Sequence, residues 1–280
     1  MPIVAQYVDR WNIFNEFNGG MNETHKIHKF NCTIGHAKAY HIINKYSNKP
    51  VSTAHAYMDF YPVRRQDKFD NALADYYDAF CNEFFFHAIR TGELVMEGID
   101  GIYDKDIKNS LDFWSINVYD RKMRDARSKG IRGKRYDHTF TPMIDAPFYL
   151  DEFFPECVIS ALTRLSDKPV FISENGCSAD DDRFRIAYIT EYLCALHQAI
   201  KMGVEVQGFC YWSLLDNYEW GSFKPRFGLV DVDRENGFKR TIKPSGYFLK
   251  EIIENNGFKP EMLTKYLKEL PKVKYDPSQV

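Results

Sequence analysis

No stretch of this sequence stays apolar for the roughly 20 residues that a membrane-spanning helix needs, and no secretory hydrophobic core follows Met1. Both absences set the expectation of a cytoplasmic protein without a membrane partner. The six cysteines, Cys32, Cys81, Cys157, Cys177, Cys194 and Cys210, lack the spacing of a disulfide framework or a metal site. Reduced thiols, with no metal and no other cofactor, are the simplest expectation. An excess of charge is missing too. Lys and Arg number 37 against 39 Asp and Glu, a net charge of −2, which argues against nucleic acid or an anionic membrane as partner. The chain has no internal repeat, no low-complexity tract and no linker that would mark a second domain.

What is present is the composition of a globular protein. Hydrophobic residues make up 44% and charged residues 27%, enough for a sizeable core. The aromatic share is 16%, with 18 Tyr and 22 Phe. Such rings can line pockets for flat sugar faces, but for most of them a heavily aromatic core is the better reading.

Short β-rich runs alternate with longer helical patterns, which is the signature of parallel βα units. The strands are expected at Trp11–Asn15, Lys49–His55, Leu111–Tyr119, Val170–Ser173 and Val204–Leu215. Helices are expected at Glu23–Tyr46, Asp67–Thr91, Glu152–Ser166, Asp182–Met202 and Pro244–Asn255. Within the second helix, Phe69, Leu73, Tyr76, Phe80 and Phe84 fall on one stripe, and Gly92 stops it. Residues 121–149 read as a long irregular connection, its basic beginning as a solvated loop. Five strands fall short of the eight that close a parallel barrel. The division expected is a partial barrel over residues 1–256 and a charged tail over 257–280.

Two glutamates end predicted strands, Glu16 in Phe14-Asn-Glu-Phe17 and Glu174 in Ile172-Ser-Glu-Asn-Gly176. Catalytic groups of βα barrels gather at C-terminal strand ends, and a carboxylate buried there without partners is costly. Either glutamate alone reads better as a loop salt bridge or a helix-start charge. Together, each beside an Asn at a strand end, they point to paired-carboxylate chemistry. A third segment, Tyr211-Trp-Ser-Leu-Leu-Asp-Asn-Tyr-Glu-Trp220, turns abruptly from apolar to polar. Trp212 offers a flat face to a pyranose, and Glu219 offers acceptors for adjacent hydroxyls. Core packing of Trp212 and Trp220 is the equally weighted alternative.

These segments resemble glycoside hydrolase family 1. The resemblance lies in Ile172-Ser-Glu-Asn-Gly176, Trp212 to Trp220, Arg226-Phe-Gly-Leu-Val-Asp-Val-Asp233 and Arg240-Thr-Ile-Lys-Pro-Ser245. It extends back through Ile116-Asn-Val-Tyr119 and Phe60-Tyr-Pro62 to Trp11-Asn-Ile-Phe-Asn-Glu16, covering about residues 7–256. It implies an α/β, (β/α)8 TIM-barrel fold and retaining hydrolysis of β-D-glucosides or β-D-galactosides, without cofactors. It further implies Glu16 as acid/base, Glu174 as nucleophile, Asn15 at the sugar 2-hydroxyl and Tyr119 as hydrogen-bond partner of the nucleophile. Trp212, Glu219, Trp220 and Phe227 would line the sugar subsite. A branch of the family acts on 6-phosphorylated glycosides. The positions that serve the phosphate there are Glu219, Pro225 and Phe227 here, so a non-phosphorylated substrate is expected.

Two departures stand out. Phe17 replaces the proline that follows the family's Asn-Glu, which bears on the loop carrying the acid/base. The chain also begins almost at the fourth strand of the family's barrel. The expectation is therefore an incomplete barrel holding strands four to eight. Three alternatives accompany it: a truncated inactive fragment, a binding or interaction protein, and one half of a split enzyme. Self-association, or a chain supplying the missing N-terminal strands, is the expected partnership besides a small β-glycoside.

Overall fold

A computed structural model describes residues 2–21, 23–127, 152–219, 221 and 223–267. After a short helical turn, α1 (Pro2–Ala5), the chain enters β1 (Trp11–Asn15), α2 (Glu23–Ile43) and β2 (Val51–Pro62). Helix α3 (Lys68–Asp78) runs through a π-helical turn at Ala79–Glu83 into α4 (Phe84–Thr91). A hairpin of β3 (Glu93–Met96) and β4 (Ile99–Tyr103) precedes β5 (Trp114–Arg124). Then come α5 (Glu156–Arg164), β6 (Val170–Asn175), α6 (Asp182–Lys201) and β7 (Val206–Tyr211). A second hairpin, β8 (Val230–Asp233) with β9 (Lys239–Ile242), leads to α7 (Pro244–Asn255) and α8 (Pro260–Tyr266).

Strands β1, β2, β5, β6 and β7 pair in that order, and every pairing among them is parallel. Helical crossovers make this possible, because a parallel neighbour can be reached only by returning over the sheet face. The result is an incomplete (β/α)8 sheet, five of the eight strands of a closed barrel. The sheet is curled. Arg10, just before β1, donates through Nη1 to Gln207 Oε1 of β7 at 2.6 Å. Its guanidinium also lies 5.3 and 5.1 Å from the Phe113 and Phe171 ring centres. A flat five-stranded sheet would hold its outer strands about 19 Å apart, beyond the reach of these two side chains.

The outer layer packs through α4, whose Phe85, Phe86, Ala88 and Ile89 are wholly buried. Phe86 meets the edge of Trp114 of β5 at 5.1 Å. Burial of each such ring stabilises by about 1.5–3 kcal/mol. The long predicted helix is therefore correct in existence but wrong in its stripe. Phe69 and Tyr76 are 76% and 41% exposed, whereas Asp70 and Ala74 are buried. The wide turn at Ala79–Glu83 rotates α4 about the helix axis relative to α3, so Phe80 and Phe84 join the core while Phe69 does not. Asp70 is buried because it is paired: Arg64 Nη2 donates to its Oδ1 at 2.7 Å, and the Ala126 amide does so at 2.8 Å.

Other boundaries moved as well. The connection expected over 121–149 begins as strand, since β5 continues to Arg124, and residues 128–151 lie outside the described residues. Both hairpins went unforeseen. Residues 258–267, expected as the start of a tail, pack Phe258, Met262, Leu263 and Tyr266 against Phe248 and Ile252 of α7.

Three buried titratable groups make the fold pH-sensitive. Burial depresses His36 to about 4 and His55 to about 3, so both are neutral in the native state. The unfolded chain binds their protons near pH 6.5. Stability present above that pH is lost as pH falls, by about 1.4 kcal/mol per unit for each. Burial raises Asp59 to about 6, which acts in the opposite sense and offsets one histidine below that pH. Urea unfolding is therefore expected to show declining stability from pH 7 to 5, and a shallower decline in His36→Gln. A slope that His36→Gln leaves unchanged would mean that His36 is charged in the folded chain.

Candidate active site

A cavity of about 420 Å³ opens at the C-terminal strand ends. Asn15, Glu16, Tyr119, Glu174, Trp212, Glu219 and Phe227 all border it. Seven of the eight residues singled out from the sequence are thus brought together; Trp220 lies outside the described residues.

Glu16 follows β1 in a left-handed conformation, φ 53°, which costs a non-glycine residue about 1–2 kcal/mol. Its neighbours hold it there. The Glu16 amide donates to Ala54 O at 2.8 Å. Asn18, fully buried, clamps the loop onto β2: its Nδ2 donates to Ala56 O at 2.8 Å and Cys81 O at 3.0 Å, and its Oδ1 accepts from the Ala56 amide at 3.0 Å. Phe17, the departure from the family's proline, is buried against Phe85 and Phe84 at centroid distances of 5.3 and 6.0 Å. The loop therefore holds by aromatic packing and an Asn clamp. Glu16 still reaches the cavity, where Asn117 Nδ2 donates to its Oε1 at 2.9 Å.

Glu174 lies on β6, and Tyr119 donates its hydroxyl to Glu174 Oε2 at 2.8 Å. Burial raises the Glu174 pKa above the ordinary carboxylate value; the Tyr119 hydrogen bond lowers it, and the nearby Glu16 charge raises it again. Tyr119 is itself anchored, since its carbonyl accepts from Tyr192 at 2.5 Å and Tyr188 at 3.3 Å. The two asparagines that flank the glutamates differ. Asn15 borders the cavity. Asn175 points behind the sheet, donating to Val118 O at 2.6 Å and Tyr188 Oη at 3.1 Å. Strand alternation separates it from Glu174.

The far wall depends on two glycines. A Cβ on Gly176 would lie 1.8 Å from Trp212 O, and one on Gly228 would lie 2.2 Å from Asp216 N. Backbone approaches this close admit no side chain, which explains glycine at the end of Ser-Glu-Asn-Gly and of Arg-Phe-Gly. Trp212 Nε1 donates to buried Glu219 Oε1 at 2.9 Å, orienting indole and carboxylate together. Asp216 Oδ1 accepts from Lys243 Nζ at 2.9 Å and the Gly228 amide at 2.8 Å. Fully buried Arg185 donates to Ala179 O at 2.8 Å and also to Arg226 O, pinning the segment that carries Phe227.

Sequence reading missed Asn117, Tyr57, Asp120, Lys122 and Tyr218, all of which border the cavity. Asn117 carried a usable signal, because period two puts it on the same strand face as Tyr119. Tyr57 carried none. Its ring packs on the outer layer, stacked on Phe86 with the hydroxyl 3.4 Å from Ser160 Oγ of α5, although the residue borders the cavity beside Ala56 and Met58. The β2–β5 register shifts just beyond it, between Tyr57 and Asp59. Lys122, a cation on that lining, donates to Asp120 Oδ2 at 2.8 Å. No group of three or more metal-ligating side chains occurs among the described residues.

Sheet and cavity together define an α/β-barrel protein with a paired-carboxylate pocket on its C-terminal rim. The model for "Glycosyl hydrolase family 1" matches residues 13–258. The chain belongs to that family. It is 32% identical over 261 residues to a β-galactosidase of Sulfolobus acidocaldarius, covering 89% of this chain and 51% of that protein. A β-galactosidase of Saccharolobus solfataricus is also 32% identical, over 88% and 51% of the two chains. The β-glycosidase of Thermosphaera aggregans superposes with a TM-score of 0.78 at 26% identity, over 94% of this chain and 59% of that one. The chain thus spans about half the length of these two curated relatives.

Replacing Tyr119 by Phe removes the hydrogen bond that favours ionised Glu174. The Glu174 titration, followed by carboxyl-carbon NMR, is expected to move to higher pH in Tyr119→Phe. An unmoved or lowered midpoint would count against that bond.

Proposed function

We propose that this cavity is the catalytic centre of a retaining β-glycosidase acting on non-phosphorylated β-D-glucosides or β-D-galactosides. The observation that carries the reading is the pair of glutamates on one cavity, Glu16 held by Asn117 and Glu174 by Tyr119. Protonated Glu16 donates to the glycosidic oxygen as Glu174 attacks the anomeric carbon, and the leaving alcohol departs. Glu16, now ionised, takes a proton from water, which cleaves the glycosyl ester and frees the sugar. Asn15 holds the 2-hydroxyl, while Glu219, Trp212 and Phe227 receive the rest of the sugar, with Trp220 assigned there by sequence. The carboxylate of Glu219 disfavours a phosphate on that sugar. Relatives named β-galactosidase support the substrate class.

Trapping tests the roles directly. A 2-deoxy-2-fluoro glycoside with an activated leaving group is expected to label Glu174, as read by peptide mapping. An adduct on another carboxylate would overturn the assignment. In parallel, Glu16→Ala should slow alkyl glycosides by about 10²–10⁴-fold and dinitrophenyl glycosides far less in kcat/KM. Equal losses would remove Glu16 from the acid role.

A second reading concerns the open sheet. Among the described residues, β1 and β7 each pair on one side only, and unpaired strand edges invite association. The 280 residues on their own are therefore expected to self-associate, or to need three further βα units, from the same polypeptide or another chain, before they turn over. Light scattering with a β-glucoside assay, with and without those units, decides this. A compact monomer with ordinary turnover would refute it.

A further inference from the structure

One side chain touches both halves of the site. Asn117, on β5 and 1% exposed, donates through Nδ2 to Glu16 Oε1 at 2.9 Å and to Asn15 Oδ1 at 3.0 Å. Its Oδ1 accepts from Ser173 Oγ at 2.6 Å. Ser173 immediately precedes Glu174 on β6, and Asn117 is the registered partner of Glu174 across the β5–β6 pairing. An amide has one donor end and one acceptor end. Whichever end faces Glu16 decides whether that carboxyl meets an N–H or a carbonyl lone pair. Glu16 Oε1 and Asn15 Oδ1 both present acceptors on one side of the amide and so select the orientation in which Nδ2 faces Glu16. The Ser173 hydroxyl, which can donate or accept, holds it by donating to the amide oxygen on the other side.

The consequence concerns where the acid proton sits. A carboxylic acid carries its proton on one oxygen, and an oxygen already accepting an N–H is the poorer place for it. We propose that Asn117, its amide fixed between Asn15 and Ser173, reserves Glu16 Oε2 as the proton-bearing oxygen that faces the leaving group. In the first step the Oε2–H bond breaks and the proton forms the O–H of the departing alcohol. The bonding pair stays on Glu16, whose Oε1 remains on Asn117 throughout. Asn117 and Ser173 are thus positioning residues. The same two hydrogen bonds also tie β1 to β6 through β5, so the spacing of the two carboxylates depends on them. Asn15, on the other branch of the Nδ2 fork, is held ready for the sugar by the same group.

The assignment rests on the two-glutamate reading above, and the experiment separates their failures. The form of the protein that turns over is assayed with an alkyl and a 2,4-dinitrophenyl β-glycoside, comparing kcat/KM, which reports bond cleavage. The alkyl substrate needs its leaving group protonated; the dinitrophenyl substrate does not. Asn117→Ala is expected to lose about 10- to 100-fold on the alkyl glycoside, a share of the general-acid contribution, and only several-fold on the other. Ser173→Ala, which leaves Asn117 in place, should lose about 3- to 10-fold on the alkyl glycoside alone, the scale of one hydrogen bond. Ser173→Thr, which keeps the hydroxyl, should behave as wild type. Equal losses on both substrates in Asn117→Ala, or a Ser173→Ala indistinguishable from wild type, overturn the assignment while fluorosugar labelling of Glu174 still stands. Wild-type protein that labels elsewhere overturns the reading beneath it, and this assignment with it.

Discussion

Parallel pairing of the five strands is the constraint on which everything else in this molecule depends. It forces each connection to return over the outer face, so every strand delivers its C-terminal end to the same rim. Glu16, Asn117, Tyr119, Glu174 and Trp212 are spread over 197 positions, from 16 to 212, yet border one cavity for that reason. The curl of the sheet, marked by Arg10 reaching Gln207, turns the rim inward so that side chains from strands β1 and β6 meet on the amide of a residue between them.

Such a rim must hold polar groups away from water, and several of them have specific partners. Asn18 and Asp216 are buried and accept from the backbone amides of Ala56 in β2 and of Gly228 in the loop before β8. An unsatisfied buried polar group costs about 1–3 kcal/mol, so these side chains bear directly on whether the loops form at all. The left-handed backbone at Glu16 belongs to the same logic: a strained residue persists where its surroundings over-determine it. Phe17 shows that more than one device can do this, since aromatic packing on Phe84 and Phe85 stands where the family has a proline.

The pocket's electrostatics arise from the same crowding. Glu16, Asp120, Glu174 and Glu219 all border one cavity, and both burial and the Glu16 charge push Glu174 toward protonation while Tyr119 pushes it back. A nucleophile must be ionised, so the hydrogen bonds from Tyr119 and Asn117 that lower Glu174 are what make a pair of acids on one cavity workable in the proposed reaction. Among the described residues β1 and β7 each pair on one side only, which sets the other limit on how far this rim encloses the cavity.

Much of this was legible in the residues. Alternation of β-rich and helical periods, with Gly92 and Pro244 as punctuation, specified the parallel βα order, because those signals are local and depend on backbone preference alone. Glu16 and Glu174 were legible too, since a carboxylate at a strand end lies on the rim whatever the details of packing. The remainder was decided by tertiary structure. The phase of the helix after Asp78 came from a wide turn and from Asp70 pairing with Arg64 and the Ala126 amide, contacts 6 and 56 residues apart. The β2–β5 register shift between Tyr57 and Asp59, at the border of the cavity, is announced by no residue type. Gly176 and Gly228 stood in the motifs, but the reason for them, a backbone within 1.8 to 2.2 Å of a missing Cβ, exists only once two distant loops have met. The link from Ser173 through Asn117 to Glu16 is of the same kind: each residue is plain in the sequence, and their contact is a property of strands brought side by side.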